Sequence, residues 1–116
     1  MKSSKIWGTT SSIFQLNNVE VHRIEIEPGG YCSKHSHKFK YNMFYVESGT
    51  LEIKQWKTDS ELVDRTILTM GEQTSVPPDT FHQFKALEKT IAYEIYWVSL
   101  EPNDIKRETC GGMTLN

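Results

Sequence analysis

The 116-residue chain reads as all-β, and three observations carry that reading. Apolar and polar residues alternate, and no segment of the middle ninety residues holds a helical period. The runs are rich in Val, Ile, Tyr, Phe and Thr, and each stops at Gly, Pro or Asp. Residues 19–27, "VEVHRIEIE", place Ile24 and Ile26 on one face and end at Pro28-Gly29. "YNMFYVES" (41–48) ends at Gly49, and "TLEIKQW" (50–56) sets Leu51 and Ile53 against charges on the opposite face. "DRTILTM" ends at Gly71, "TSV" at Pro77-Pro78-Asp79, and "FHQFKAL" follows. "TIAYEIYWVSL" (90–100) is the longest apolar strand.

Composition narrows the classes. Apolar residues at 37% and charged residues at 24% fit an ordinary globular chain of one domain. A net charge of -2 gives no electrostatic reason to expect nucleic acid or an anionic membrane as partner. No apolar run approaches the roughly 20 residues of a membrane span. "MKSSKIWGTTSS" lacks the apolar centre of a secretory signal. Cys32 and Cys110 are too few for a disulfide framework, so a reduced cytoplasmic setting is expected.

Short strands of this kind avoid exposed edges by closing into a barrel or pairing two sheets. The expected division is an N-terminal arm and first strand (1–18), a barrel (19–100) and a C-terminal tail (101–116) with one helical turn after Pro102. There is no solenoid-period repeat and no low-complexity tract.

The chemistry-bearing residues are histidines. His35 and His37 are two apart, so on a strand their imidazoles face the same side. A metal site needs three or four ligands, and His82 follows the second proline turn, far enough along to return on a neighbouring strand. His22 shares the parity of Ile24 and Ile26, and nothing ties it to the other three. A His-x-His pair on its own is more often surface decoration.

Gly29, five residues, His35, one residue, His37, four residues, Asn42, six residues, Gly49 matches the spacing of the first cupin motif, with Asn where that motif has Glu. Gly71, five residues, Pro77, one residue, Asp79, two residues, His82 matches the second, with Asp79 for its Gly and Ala86 for its terminal Asn. Over roughly residues 19–100 the chain resembles a single-domain cupin, which implies a double-stranded β-helix (jelly-roll barrel). "VEVHRIEIEPG", "LTMGEQTSVPPDTFHQF", "AYEIYW" and "NDIKRE" are similar to the cupin domain of type II mannose-6-phosphate isomerase/GDP-mannose pyrophosphorylase. In that family the positions of His35, His37, Asn42 and His82 typically carry Gln, His, Glu and His.

The resemblance implies one divalent transition metal (iron, zinc, nickel, copper or manganese) held by His35, His37 and His82. Asn42 is either a further ligand or a group that holds water or substrate beside the ion. Glu94 corresponds to a Glu of the sugar-related family and is the candidate general base; an outward surface carboxylate is the alternative. Cys32 reads as a small buried hydrophobe, and Phe44, Phe84, Tyr96 and Trp97 mostly as core, with one or two of them lining the cavity. Lys34, Lys38 and Lys40 read as a wet loop edge, and Arg107 either as an anion contact or as a solvated tail charge.

The leading expectation is an enzyme on a sugar or sugar phosphate, isomerase- or epimerase-like, with a polar or anionic small-molecule substrate. An iron-dependent dioxygenase is the alternative, since three-histidine cupin sites without the Glu are familiar among thiol and diketone oxygenases. A non-catalytic metabolite-binding module is the third. A homodimer is expected, through sheet edges and an arm carrying Ile6 and Trp7.

Overall fold

The computed structural model describes residues 2–57 and 61–98, together with residues 111, 113 and 114. Arg107, Cys110 and the helical turn expected after Pro102 lie outside the described residues. Among the described residues are nine strands: β1 (Lys2–Lys5), β2 (Gly8–Leu16), β3 (Val19–Ile26), β4 (Tyr41–Ser48), β5 (Leu51–Trp56), β6 (Val63–Leu68), β7 (Gln73–Val76), β8 (Phe81–Ala86) and β9 (Thr90–Trp97). They form a six-stranded sheet, β1-β2-β3-β9-β4-β7, and a three-stranded sheet, β6-β5-β8, with every pairing antiparallel.

Period-two alternation puts one face of each sheet into a shared core. Ile24 and Ile26 of β3, Phe44 and Val46 of β4 and Ala92 of β9 come from the large sheet. Leu51 and Ile53 of β5, with Phe84 and Ala86 of β8, meet them from the small one. Burying such side chains stabilises by roughly 1.5–3 kcal/mol each. Trp7, between β1 and β2, caps this core edge-on to Phe84, ring centroids 5.0 Å apart, so the arm's indole stays on its own chain.

The expected jelly-roll barrel is corrected here. Neither sheet closes on itself, and the two do not merge into a β barrel. The reason lies in the β3–β4 connection. Pro28, Gly29 and Gly30 break the strand, and the segment beyond them reaches β8 through isolated bridges, Tyr31 with Lys85 and His35 with His82. Proline has no amide hydrogen to give a ladder and glycine weakens one, so no strand forms there to seal the seam.

Two positions explain motif residues by backbone geometry. Gly49 has φ +93°, and a Cβ there would collide with the carbonyl oxygen of Lys89. Asp79 stands where the second cupin motif has Gly, and its φ is +59°. The left-handed region suits Gly and is tolerated by Asp. The Asp79 amide donates to the His37 carbonyl at 2.7 Å, so this turn ties the two motifs together.

Asp79 is exposed, so substitutions there read backbone strain with little packing change. Asp79→Val is expected to cost about 1–2 kcal/mol, while Asp79→Gly is near neutral. Urea denaturation midpoints measure both, and equal stability of the two variants would contradict the assignment.

Candidate metal centre

Three imidazoles from two segments converge on one point between the sheets. His35 lies on the strap beside β8, His37 two residues on, and His82 on β8 itself. The His35 amide donates to the His82 carbonyl at 3.1 Å and the His82 amide to the His35 carbonyl at 2.8 Å. Ring centroids are 4.5 Å apart for His35–His82, 5.0 Å for His35–His37 and 5.4 Å for His37–His82. One nitrogen from each ring lies within 4.8 Å of the others, a cluster able to coordinate a divalent transition-metal ion.

Hydrogen bonds choose the coordinating atom. His35 Nδ1–H donates to the Ser33 carbonyl at 2.7 Å, and His82 Nδ1–H to the Thr80 carbonyl at 2.9 Å. Each bond fixes the tautomer in which Nε2 carries the lone pair. Burial, with His35 and His82 as neighbours, lowers the His37 pKa to about 4, and burial lowers that of His82 as well. Both rings are therefore neutral near pH 7, the form a metal binds.

Asn42, on β4, is fully buried, and its amide nitrogen donates to His82 Nε2 at 3.4 Å. Two buried atoms among the described residues have no hydrogen-bond partner: His37 Nε2 and Asn42 Oδ1. An unpartnered buried lone pair costs about 1–3 kcal/mol. A cation among these residues would serve both, so the donor set fits a metal ion.

Glu94 faces inward. On β9 it stands opposite His22 of β3 and Phe44 of β4, on the face of buried Ala92. Burial raises its pKa, opposed by the Tyr96 hydroxyl, which donates to Oε2 at 2.8 Å, and by His22, His35 and Lys5. Tyr96 also packs edge-on to His37, centroids 5.3 Å apart, joining Glu94 to the histidine cluster. Its phenol pKa is raised by burial first and then by Glu94.

A cavity of about 810 Å³ opens beside His35, walled by Trp7, Tyr31, Cys32 and Phe84. A second, of about 290 Å³, lies beside His37 with Glu20, His22 and Lys40. Glu94 and Tyr96 line both. Lys40 sits 3.7 Å from Glu20 and over the Tyr96 ring, whereas Lys34 covers Trp56. His22 meets Glu20 at 3.4 Å, outside the ligand cluster. Cys32 is buried, its Sγ accepts the Phe84 amide at 3.2 Å, and burial pushes its thiol up to about 12, so it is no nucleophile at neutral pH.

Of the four aromatics expected to be core with one or two lining the cavity, Phe84 and Tyr96 line it, while Glu20 is not singled out by the sequence. The overlooked signal was parity: Tyr96 is two residues from Glu94, and Glu20 two from His22, so each shares its neighbour's inward face. Trp97 points the other way and stacks on Tyr41.

Two facing β sheets with a three-histidine, metal-competent cluster between them define the class. Residues 22–99 match the family described as Cupin_2, Cupin domain, and the chain belongs to that family. Among solved structures it is similar to KdgF from Halomonas sp., with TM-score 0.74 and 15% identity, over 86% of this chain and 89% of that one. It is similar to a cupin superfamily protein from Desulfitobacterium hafniense, with TM-score 0.67 and 13% identity, over 85% and 84%. The capsular polysaccharide assembling protein CapF from Staphylococcus aureus gives TM-score 0.73 and 20% identity, over 90% of this chain but 30% of that one. At these identities the likeness is one of fold. A comparison with curated proteins finds no match. Among the described residues, no helix is long and apolar enough to cross a membrane.

Two outcomes are expected of the centre. Protein purified without a histidine tag should carry close to one transition-metal ion per chain by elemental analysis. His82→Ala should weaken its binding by at least about 100-fold, the upper end of what supporting residues alone contribute.

Stability of the metal-free protein should fall as pH drops from 6.5 towards 4. Across that window His37 of the unfolded chain takes a proton that the folded chain refuses. Glu94 works the other way, because its folded form holds a proton longer than the unfolded one. Comparing urea midpoints of wild type and His37→Gln isolates the histidine contribution, and an unchanged pH slope in the variant would refute it.

Proposed function

We propose that this chain is a metal-dependent oxygenase acting on a small polar or anionic molecule. The donor set carries the reading: three imidazoles, with the neutral Asn42 amide at the motif's Glu position. The three-histidine pattern without that Glu resembles cupin thiol and diketone oxygenases. His35, His37 and His82 would hold the ion, which supplies Lewis acidity and, as iron(II), access to oxygen chemistry. No carboxylate among these ligands cancels its charge, which favours an anionic substrate.

The remaining work falls to this chain's own side chains. Asn42 donates to His82 Nε2, a bond that ion binding at that nitrogen would replace, and offers Oδ1 to water or substrate. Glu94, with its raised pKa, can hold or give a proton at the cavity, and Tyr96 keeps its carboxyl oriented. Trp7, Cys32 and Phe84 form an apolar wall that limits water around the substrate.

Glu94 also favours a second reading, an isomerase or epimerase on a sugar or sugar phosphate in which it moves the proton. A reduced cytoplasmic setting and a homodimer accompany either reading.

Oxygen uptake separates them. Protein loaded anaerobically with iron(II) should consume oxygen with a thiol, diketone or sugar-acid substrate, and His82→Ala should not. Turnover of a sugar phosphate without oxygen uptake, abolished in Glu94→Gln, would replace the oxygenase with the isomerase.

A further inference from the structure

We propose that Lys40 and Lys5 form an anion subsite in the smaller cavity, and that the substrate is a small organic acid whose carboxylate sits there. The proposal rests on the three-histidine cluster as the reaction centre of the proposed oxygenase, and it names that site's substrate class.

The register of the large sheet builds the subsite. Its inward rows begin apolar, with Ile24, Ala92 and Val46 side by side on β3, β9 and β4. The next inward row carries His22, Glu94 and Phe44, and the one after it Glu20, Tyr96 and Asn42. Thr10 of β2 pairs with Ile24 and shares that face, ahead of the bulge between Ser12 and Phe14. Polar side chains turned inward at one end of an apolar face cost free energy unless they are paired or used. Thr10, Glu20, His22, Glu94 and Tyr96 wall the cavity of about 290 Å³ beside His37.

Two ammonium groups reach this space from separate segments. Lys40, just before β4, lies 4.7 Å over the Tyr96 ring and 3.7 Å from Glu20 Oε2. Tyr96 packs in turn on His37, so Lys40 stands near the cluster, and its charge helps lower the His37 pKa. Lys5 ends β1, lines both cavities, and is in no ion pair among the described residues. The other strap lysines are engaged elsewhere, Lys34 over Trp56 and Lys38 over Phe39. Position, beyond charge alone, singles out Lys40.

Charge and donor type select a carboxylate. Glu20 offsets one of the two lysines, so the wall balances a single negative charge. Burial disfavours the charged form of Glu94, which therefore asks less of the lysines than Glu20 does. A phosphate monoester brings roughly -1.5 to -2 and would face the Glu20 carboxylate. Phosphate sites also draw on arginine forks or helix N-termini, and neither lines this cavity among the described residues. The acid's body has its own place in the adjoining cavity of about 810 Å³, against Trp7, Tyr31 and Phe84. His35 lines that chamber and His37 the smaller one, so a molecule spanning both passes the cluster.

Calorimetric titration of the full chain, loaded with zinc, tests this with 3-phenylpropionate, its neutral amide and 2-phenylethyl phosphate. The acid should bind at least about 10-fold more tightly than the amide or the phosphate. Lys40→Met should weaken the acid about 5- to 10-fold, and Lys5→Met about 2- to 3-fold because Lys5 is exposed. Neither should move the amide. Lys40→Arg should keep most of the affinity, and Lys34→Met all of it. Equal binding of acid and amide, or an acid indifferent to Lys40→Met because the ion alone holds it, would overturn the subsite. Phosphate bound more tightly than the acid, and dependent on Lys40, would overturn the carboxylate assignment in favour of phosphate esters. Should Lys40→Met melt below wild type, Lys40→Gln and Lys5→Met carry the same comparison. Titration with zinc reads binding alone, so its failure leaves the oxygenase standing, and absent oxygen uptake leaves the subsite standing.

Discussion

A pair of backbone hydrogen bonds between His35 and His82 is the constraint on which the rest depends. It joins two segments far apart in sequence, and it does so at the residues that carry the chemistry. The strap holding His35 can stay on β8 because Gly29 and Cys32 donate to Ala86 and Phe84 further along the same edge. Each histidine's other ring nitrogen is then occupied by a nearby carbonyl, leaving Nε2 for the shared centre. Backbone pairing sets the distance between the ligands, and local side-chain bonds set their protonation.

That arrangement leaves a deficit of donors and a surplus of buried lone pairs. His37 Nε2 and Asn42 Oδ1 are unpartnered in an interior where polar groups are nearly always satisfied. A cation resolves the imbalance, and a neutral donor set leaves most of its charge for whatever binds next. The inward Glu94, its pKa raised by burial and its carboxylate hydrogen-bonded by Tyr96, places a carboxyl group across the same space. The large sheet thus turns Glu94 and Tyr96 toward the histidine cluster on its inner face, while its outer face carries cross-strand rows of apolar side chains beside the Arg23–Glu25 pair.

The histidine set was legible because strand parity puts residues two apart on one side, and because two spaced motifs pointed to the same centre. Parity also applied to Tyr96, but a tyrosine among apolar neighbours stays open between core and cavity wall until its hydroxyl partner is known. Whether Glu94 faced in or out was not decidable from its own strand. "TIAYEIYW" is apolar on both faces, so alternation has no polar side to mark as solvent. Closure into a barrel was expected from edge avoidance, yet the Pro-Gly-Gly break leaves a strap with isolated bridges in place of the closing strand.

By itself the sequence determined the strands from residue 19 on, the turns and the histidines of the metal-competent cluster, since these depend on local alternation, on Gly, Asp and Pro backbone preferences, and on spacing. Tertiary structure decided what depends on pairing between distant strands: the two open sheets, the inward turn of Glu94 beside Tyr96, and the apolar rows of the outer face. The bulge in β2 shows why. One inserted residue reverses the faces of every residue after it, and nothing local to "SSIFQL" says on which side the register will slip.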